Sequence, residues 1–161
     1  MSKHLFIGAA FLSLTGAAHA QALTERNMPL PLAVEIAQAT VDACAAKNFA
    51  VAAAVVDRNG IVRALLRADR AGPHTIDSAR RKAFTSASMR APTMAIAEGV
   101  QKNPAAAQLV AIEGLLVLAG GVPVKIGDET IGAVGVGGAP GGHIDDECAK
   151  AGIEKVQAKL K

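Results

Sequence analysis

The stretch FAVAAAVVDRNGIVRALLRA, from Phe49 to Ala68, determines how the rest of the chain is interpreted. It contains two apolar runs rich in Val, Ala and Leu, separated by Asp57-Arg58-Asn59-Gly60. An Asn-Gly pair tolerates the positive φ that a tight turn between antiparallel strands requires. The stretch therefore predicts a β-hairpin with strands at 49–56 and 61–68.

A second pair of apolar runs has the same arrangement nearer the C-terminus. Residues 122–126 and 130–136 flank a turn at Gly127-Asp128-Glu129, and the short run 115–118 adds a further expected strand. Hairpins join antiparallel strands, whereas parallel strands need a longer crossover connection. The sequence therefore predicts five strands in a mainly antiparallel sheet.

Four helical patterns lie before, between and after the hairpins. Each has an apolar stripe at helical spacing or a capping residue at its start. Helices that accompany such a sheet pack against it, so the expected fold class is α/β of the α+β type. The helices are expected to begin after Pro31, near Thr75, near Pro92-Thr93, and at Asp145 acting as an N-cap.

The first twenty residues have the pattern of a secretory signal peptide. Lys3 precedes the apolar run Leu5 to Leu14, and Ala18-His19-Ala20 places small residues at both positions that a signal peptidase reads. The run is about half the ~20 apolar residues that a membrane span requires. We expect residues 1–20 to be a signal peptide and the mature protein to be periplasmic or secreted, with no membrane insertion after cleavage.

The composition argues against nucleic-acid binding. The chain has 17 basic and 14 acidic residues, and removal of Lys3 with the signal lowers the formal charge from +3 to +2. It contains four Phe and no Trp or Tyr. Proteins that bind nucleic acid typically combine basic surfaces with stacking aromatic residues. We therefore expect no nucleic-acid partner.

Four segments occur in a particular order: VAAAVVDRNG at 51–60, GPHTIDSARRKA at 72–83, GGVPV at 120–124 and IGAVGVGG at 131–138. Together they resemble the GlcG/HbpS family, the haem-binding or haem-degrading domain. The resemblance implies that residues 21–161 form one such domain, with a three-layer fold, a five-stranded antiparallel sheet, homo-oligomeric assembly and haem binding. It leaves activity open, because fold transfers better than function.

His74 is the first candidate for an axial ligand of a haem iron. Gly72 and Pro73 present it on a loop directly before a helix. A non-covalent haem, or a similar flat molecule, needs little more than one axial donor, an apolar slot and cations for the propionates. The alternative is an exposed loop histidine that helps to cap the helix.

The helix after His74 supplies the other expected cofactor-binding residues. Arg80 and Lys82 are the candidate partners of the haem propionates, with a solvated helix face as the alternative. Thr75 or Ser78 is the candidate hydrogen-bond donor beside the bound group. No residue is assigned a catalytic role.

His143 is a second metal-ligand candidate. With Asp145 and Asp146 it could hold iron or another divalent ion, and the glycines at 137–142 could form an anion-binding loop. A flexible connection into a capped helix explains the same residues without any ligand.

Cys44 and Cys148 are the two cysteines of the chain. In an exported protein a pair of cysteines favours a disulfide. Two small buried thiols, or one thiolate bound to haem iron, are the alternatives.

The leading functional hypothesis is an exported, non-covalent haem-binding protein with a carrier or sensor role. A haem- or small-molecule-transforming enzyme is an alternative, although the chain has no nucleophile elbow, Walker loop, Rossmann fingerprint or H-E-x-x-H motif. An oligomeric module that binds a protein partner without a cofactor is the third hypothesis.

Overall fold

A computed structural model describes residues 22–161, so the expected signal peptide lies outside the described residues. None of the helices in this range is long and apolar enough to cross a membrane. The helices and strands are α1 (Leu30–Ala45), β1 (Ala52–Asp57), β2 (Val62–Arg67), α2 (His74–Met89), α3 (Thr93–Lys102), β3 (Gly121–Ile126), β4 (Glu129–Gly137) and α4 (Gly142–Lys155). Two 3-10 segments, Pro104–Ala111 and Gln157–Lys159, follow α3 and α4.

The strands form one antiparallel sheet in the order β2-β1-β4-β3. β1 pairs with β2 in the first hairpin and with β4 across the centre, and β3 pairs with β4 in the second hairpin. The prediction of two hairpins is confirmed. The central strands β1 and β4 are buried, whereas the edge strand β2 is partly exposed.

The predicted fifth strand at 115–118 is wrong. The Arg81 side chain donates a hydrogen bond to the Leu115 carbonyl at 2.6 Å, and the Leu116 amide donates to Thr85 Oγ1 at 2.8 Å. Because side chains of α2 already satisfy these backbone groups, the segment lies along the helix instead of pairing with a strand. The sheet of the described chain therefore has four strands.

Helices cover both faces of the sheet and make a three-layer α+β fold. α1 and α4 pack together on one face, and α2 packs on the other. Because successive side chains of a strand point to opposite faces, Val55 of β1 faces the first side of the sheet, as does Val51 just before the strand, and Ala52 and Ala54 face the second. The first core is rich in Val, Ile and Leu, and the second consists mostly of alanine.

Cys44 of α1 and Cys148 of α4 form a disulfide with their Cα atoms 5.4 Å apart. Both side chains are fully buried in the first core. The predicted disulfide is confirmed, and the alternatives of free thiols or a haem thiolate are excluded because both sulfurs are bonded to each other. The cross-link holds α1 against α4.

Candidate functional site

A cavity of about 330 Å³ lies where α2 meets the loop between β4 and α4. We call it the glycine-walled cavity. One wall is a row of polar side chains on α2 at positions 74, 78 and 82, which share a face because residues four apart in a helix are neighbours. The cavity is lined by His74, Ser78, Lys82, Leu118, Gly137, Gly138, Ala139, Pro140, Gly141, Gly142 and Asp145.

His74 is the first residue of α2, and its side chain is exposed at this cavity. Its ring lies against Gly72, where an added Cβ would be 2.7 Å from Cε1 of the imidazole. Neither ring nitrogen makes a hydrogen bond within residues 22–161. Neutral imidazole nitrogens are the commonest metal ligands in proteins. The His74 ring is therefore available to a ligand in the cavity.

Thr75 and Ser78 stabilise the first turn of α2. The buried Thr75 hydroxyl donates to the Gly72 carbonyl at 2.6 Å, and the Ser78 hydroxyl donates to the Thr75 carbonyl at 3.2 Å. Ser78 lines the glycine-walled cavity, whereas Thr75 does not. Of these two candidate donors, the structure places only Ser78 beside His74 in the cavity wall.

Lys82 forms a buried ion pair with Asp145. Their side chains are 2% and 4% exposed, and Lys82 Nζ donates to Asp145 Oδ2 at 2.7 Å and to the Val136 carbonyl at 2.9 Å. A charged group can be buried when a counter-charge and further hydrogen bonds replace its water. The alternative of a solvated helix face is wrong for Lys82, whose ammonium lies at the inner end of the cavity.

The prediction that Asp145 is an N-cap is wrong. α4 begins three residues earlier at Gly142, with Gly141 as its N-cap, and Asp145 lies in the first turn. Its Oδ1 accepts a hydrogen bond from the Ala139 amide at 3.1 Å, which fixes the loop that lines the cavity. Burial raises the pKa of Asp145 above its usual value, although the hydrogen bond and charge of Lys82 act in the opposite direction.

Gly120 makes room for this ion pair. Its φ is +116°, a backbone conformation that residues with a side chain rarely adopt. A Cβ at this position would lie 2.7 Å from the Asp145 Cβ and 3.0 Å from Lys82 Nζ. A residue with a side chain at position 120 would therefore displace the Lys82–Asp145 pair.

Arg80 lies on a different face of α2. It is about 160° around the helix from Lys82, since each residue turns the helix by about 100°. Its guanidinium pairs with Asp77 at 2.8 Å, and both line a separate surface depression beside residues 110–114. The structure thus brings together His74 and Lys82 of the predicted cofactor-binding residues, and leaves Arg80 and Thr75 outside the cavity.

His143 is exposed and is absent from the residues that line the cavity. The two carboxylates that follow it are engaged elsewhere: Asp145 binds Lys82, and Asp146 Oδ2 lies 2.7 Å from Lys150 Nζ. Within the part of the chain that the structure describes, no three His, Cys, Asp or Glu side chains are grouped as metal ligands. The predicted arrangement of His143 with both carboxylates around one ion is not formed.

The sequence did not predict that Asp145 pairs with Lys82 or that Leu118 lines the cavity. The spacing of His74, Ser78 and Lys82 at four-residue intervals was a local signal for the cavity wall. The partner of Lys82 had no local signal, because it is 63 residues further along the chain.

Comparisons with known proteins identify relatives of this chain. A model of the family described as "Haem degrading protein HbpS-like" matches residues 28–154. A crystal structure of an HbpS double mutant from Streptomyces reticuli is 39% identical with a TM-score of 0.77, over 92% of this chain and 98% of that one. A 15.0 kDa protein from the dhaT-dhaS intergenic region of Citrobacter freundii is 32% identical over 114 residues, 70% of this chain and 80% of that protein.

A crystal structure of a PduOC complex with haem has the same fold. It is 20% identical with a TM-score of 0.71, and the match covers 80% of this chain and 94% of that one.

Proposed function

The chain belongs to the HbpS-like family, and from this membership we propose that it is a non-covalent haem-binding protein with a carrier or sensor role outside the cytoplasm. The observation that carries the proposal is the His74 imidazole, exposed at the glycine-walled cavity with no hydrogen bond to either ring nitrogen in the described chain. One axial histidine is a sufficient protein ligand for haem iron.

The residues of the cavity fit a flat, partly apolar group. Glycines at 137, 138, 141 and 142 leave one wall without side chains, and Leu118, Ala139 and Pro140 add apolar surface. Both cysteines are bonded to each other, so thioether attachment is not available. When bound, haem supplies the chemistry of its iron, and the chain supplies position and surroundings.

The size of the cavity favours a carrier or sensor over a protein that encloses its ligand permanently. Its volume of about 330 Å³ is at the low end of the range of roughly 300–1,000 Å³ for small-molecule sites. A porphyrin would therefore extend beyond the cavity and keep an edge accessible. Such partial burial supports exchange of the ligand with another protein.

Titration of the purified protein with haemin tests the proposal. The Soret band is expected to shift from that of free haemin, and His74→Ala is expected to weaken binding about tenfold or more, since loss of the axial bond costs at least the ~1.4 kcal/mol that a tenfold change represents. His143→Ala is the matched control, because this histidine is also exposed but does not line the cavity. A spectrum that stays that of free haemin would refute haem binding, and equal losses in both variants would refute His74 as the ligand.

A carrier and a haem-transforming enzyme give different results in the next measurement. With a reductant and oxygen present, a carrier retains its Soret band. Progressive loss of the band with release of a linear tetrapyrrole would instead assign the protein to haem breakdown.

Export is supported by two independent features. Residues 1–20 have the signal-peptide pattern, and the Cys44–Cys148 disulfide is of a kind that persists in oxidising compartments. Expression of the full chain in a bacterium should yield a periplasmic or secreted protein that begins at Gln21. Intact-mass measurement of a product that retains Met1 would contradict this.

Homo-oligomeric assembly is the expected quaternary state. The 3-10 segment Pro104–Ala111 has no buried residue, and Val110 and Ile112 are 61% and 53% exposed. Exposed apolar patches commonly mark interaction surfaces. Light scattering should give a mass that is a multiple of the chain mass, and Val110→Asp with Ile112→Asp should lower it. A monomer at all concentrations would contradict the assembly.

A further inference from the structure

We propose that the inner end of the glycine-walled cavity is a carboxylate-binding site whose main donor is the Lys82 ammonium. Its use for a haem propionate rests on the proposed function, whereas its affinity for a carboxylate as such does not. Two observations carry the proposal: an unused donor on a buried cation, and further unused donors at the start of α4.

The first observation is a count of hydrogen bonds around Lys82. An ammonium group has three N–H donors. Two of them bond to Asp145 Oδ2 and to the Val136 carbonyl, and the third has no acceptor within residues 22–161. The Ala139 amide donates to Asp145 Oδ1, the carboxylate oxygen that Lys82 does not contact. A buried donor without a partner is costly, so a ligand oxygen at this point is favoured.

The second observation concerns the first turn of α4. The amide groups of Gly142 and His143 make no hydrogen bond to any acceptor in the described chain, as is usual for the first amides of a helix. The start of a helix carries a partial positive charge and favours anions. Gly141 and Gly142 line the cavity, and neither has a side chain that would cover these amides.

The Asp145 carboxylate does not give the inner end of the cavity a net negative charge. Its charge is balanced by the Lys82 ammonium, and it also lies in the first turn of α4, where the helix favours negative charge. Lys82 can therefore lie between two carboxylates, one from Asp145 and one from a ligand. The remaining donors at this end of the cavity come from α4.

The position of Lys82 relative to His74 matches a ligand with a carboxylate at one end. The two residues are eight positions apart on α2, a rise of about 12 Å. A haem held at both would have its iron at His74 and a propionate at Lys82. A free small carboxylate would use the same donors without reaching His74.

The first arm of the test uses sodium propionate and the mature, ¹⁵N-labelled protein. Propionate is expected to shift the amide signals of Gly142 and His143 in a saturable manner, and propionamide, which has the same shape without the charge, is expected not to. The test variant is Lys82→Met with Asp145→Asn, which removes both charges together so that no buried charge is left unpaired. Arg80→Gln removes a charge from the same helix outside the cavity, and it is the matched control.

The second arm compares haemin with its dimethyl ester, which has no free carboxylate. The wild type and Arg80→Gln should bind haemin at least about tenfold more tightly than the ester, because the ester cannot form the charge-assisted hydrogen bond to Lys82. The double variant should bind haemin and the ester with equal affinity. Saturable propionate shifts without haemin binding would support a site for free carboxylates and refute the proposed function. Haemin binding with equal affinity for the ester and no propionate shifts would overturn the carboxylate site and leave the proposed function standing.

Discussion

The two faces of the sheet are filled in opposite ways. Under α1 and α4 the core is rich in Val, Ile and Leu side chains around a disulfide, whereas under α2 it consists mostly of alanine. α2 lies so close to β4 that a Cβ at Gly135 would overlap the backbone of Ala79 and Ala83. The first face therefore buries large apolar groups, and the second holds a helix at short range.

This difference separates stability from function within one small fold. Burial of branched apolar side chains stabilises more than burial of alanine, because the free energy follows the apolar area removed from water. The alanine face instead fixes the backbone of α2, and with it the row of His74, Ser78 and Lys82 in the cavity wall. Variants on the two faces should consequently affect different measurements.

Removal of the disulfide is expected to have the largest effect on stability. Cys44→Ala with Cys148→Ala should lower the free energy of unfolding by about 4–5 kcal/mol, because the cross-link spans 104 residues and restricts the unfolded chain. Urea unfolding at pH 7 measures it. Haemin affinity should change little under conditions where the variant is folded. A loss below about 1 kcal/mol would mean that the first face does not depend on its cross-link.

Loss of the buried cation should have the next largest effect. Lys82→Met leaves the Asp145 carboxylate buried without its partner, which should cost about 3 kcal/mol of unfolding free energy. Lys82→Met with Asp145→Asn should recover most of that loss, because neither charge remains. Chemical denaturation of the three proteins provides the comparison. A double variant no more stable than the single one would show that the pair itself, and not an unpaired charge, stabilises the second face.

A single methyl group tests how tightly α2 lies on the sheet. Gly135→Ala should lower the free energy of unfolding by about 2 kcal/mol, as expected for overpacking against a rigid backbone. Gly99→Ala is the matched control, since an added Cβ on α3 has no neighbour within 4 Å and should stabilise by about 0.5–1 kcal/mol. Thermal unfolding of both variants should give shifts of opposite sign. Equal shifts would indicate that the second face has room to adjust.

The features that the sequence predicts correctly are those set by neighbouring residues. Both hairpins follow from local turn residues between apolar runs, and no distant contact is needed to recognise them. The register of α1 is set by a distant partner instead: its buried side passes through Thr40 and Cys44, which face Gly152 and Cys148 of α4.

The features that the sequence predicts wrongly depend on distant partners. Lys82 by itself is typical of a solvated helix, and its burial follows from its ion pair with Asp145 of α4, 63 residues further along the chain. The run 115–118 has the composition of a strand, but Arg81 and Thr85 bind its backbone. A single sequence contains no direct signal for such pairings, and the candidate site is built mainly from them.

The smallest expected effect is a pair of opposite pKa shifts in two carboxyl groups. Burial raises the pKa of Asp145 above 3.8, whereas the hydrogen bond from Lys47, 2.6 Å away, lowers the pKa of the exposed Glu147 below 4.5. ¹³C NMR of the carboxyl carbons should therefore give midpoints displaced in opposite directions from these values.

The two groups should also affect stability with opposite signs. The contribution of Asp145 is fully present below its ordinary pKa of 3.8 and is lost as the pH rises through its higher folded pKa. The contribution of Glu147 is present above 4.5 and is lost as the pH falls through its lower folded pKa. A midpoint for Asp145 at or below 3.8 would mean that the Lys82 ammonium outweighs the loss of water around the carboxylate. In that case the inner end of the cavity would be governed by its ion pair rather than by burial.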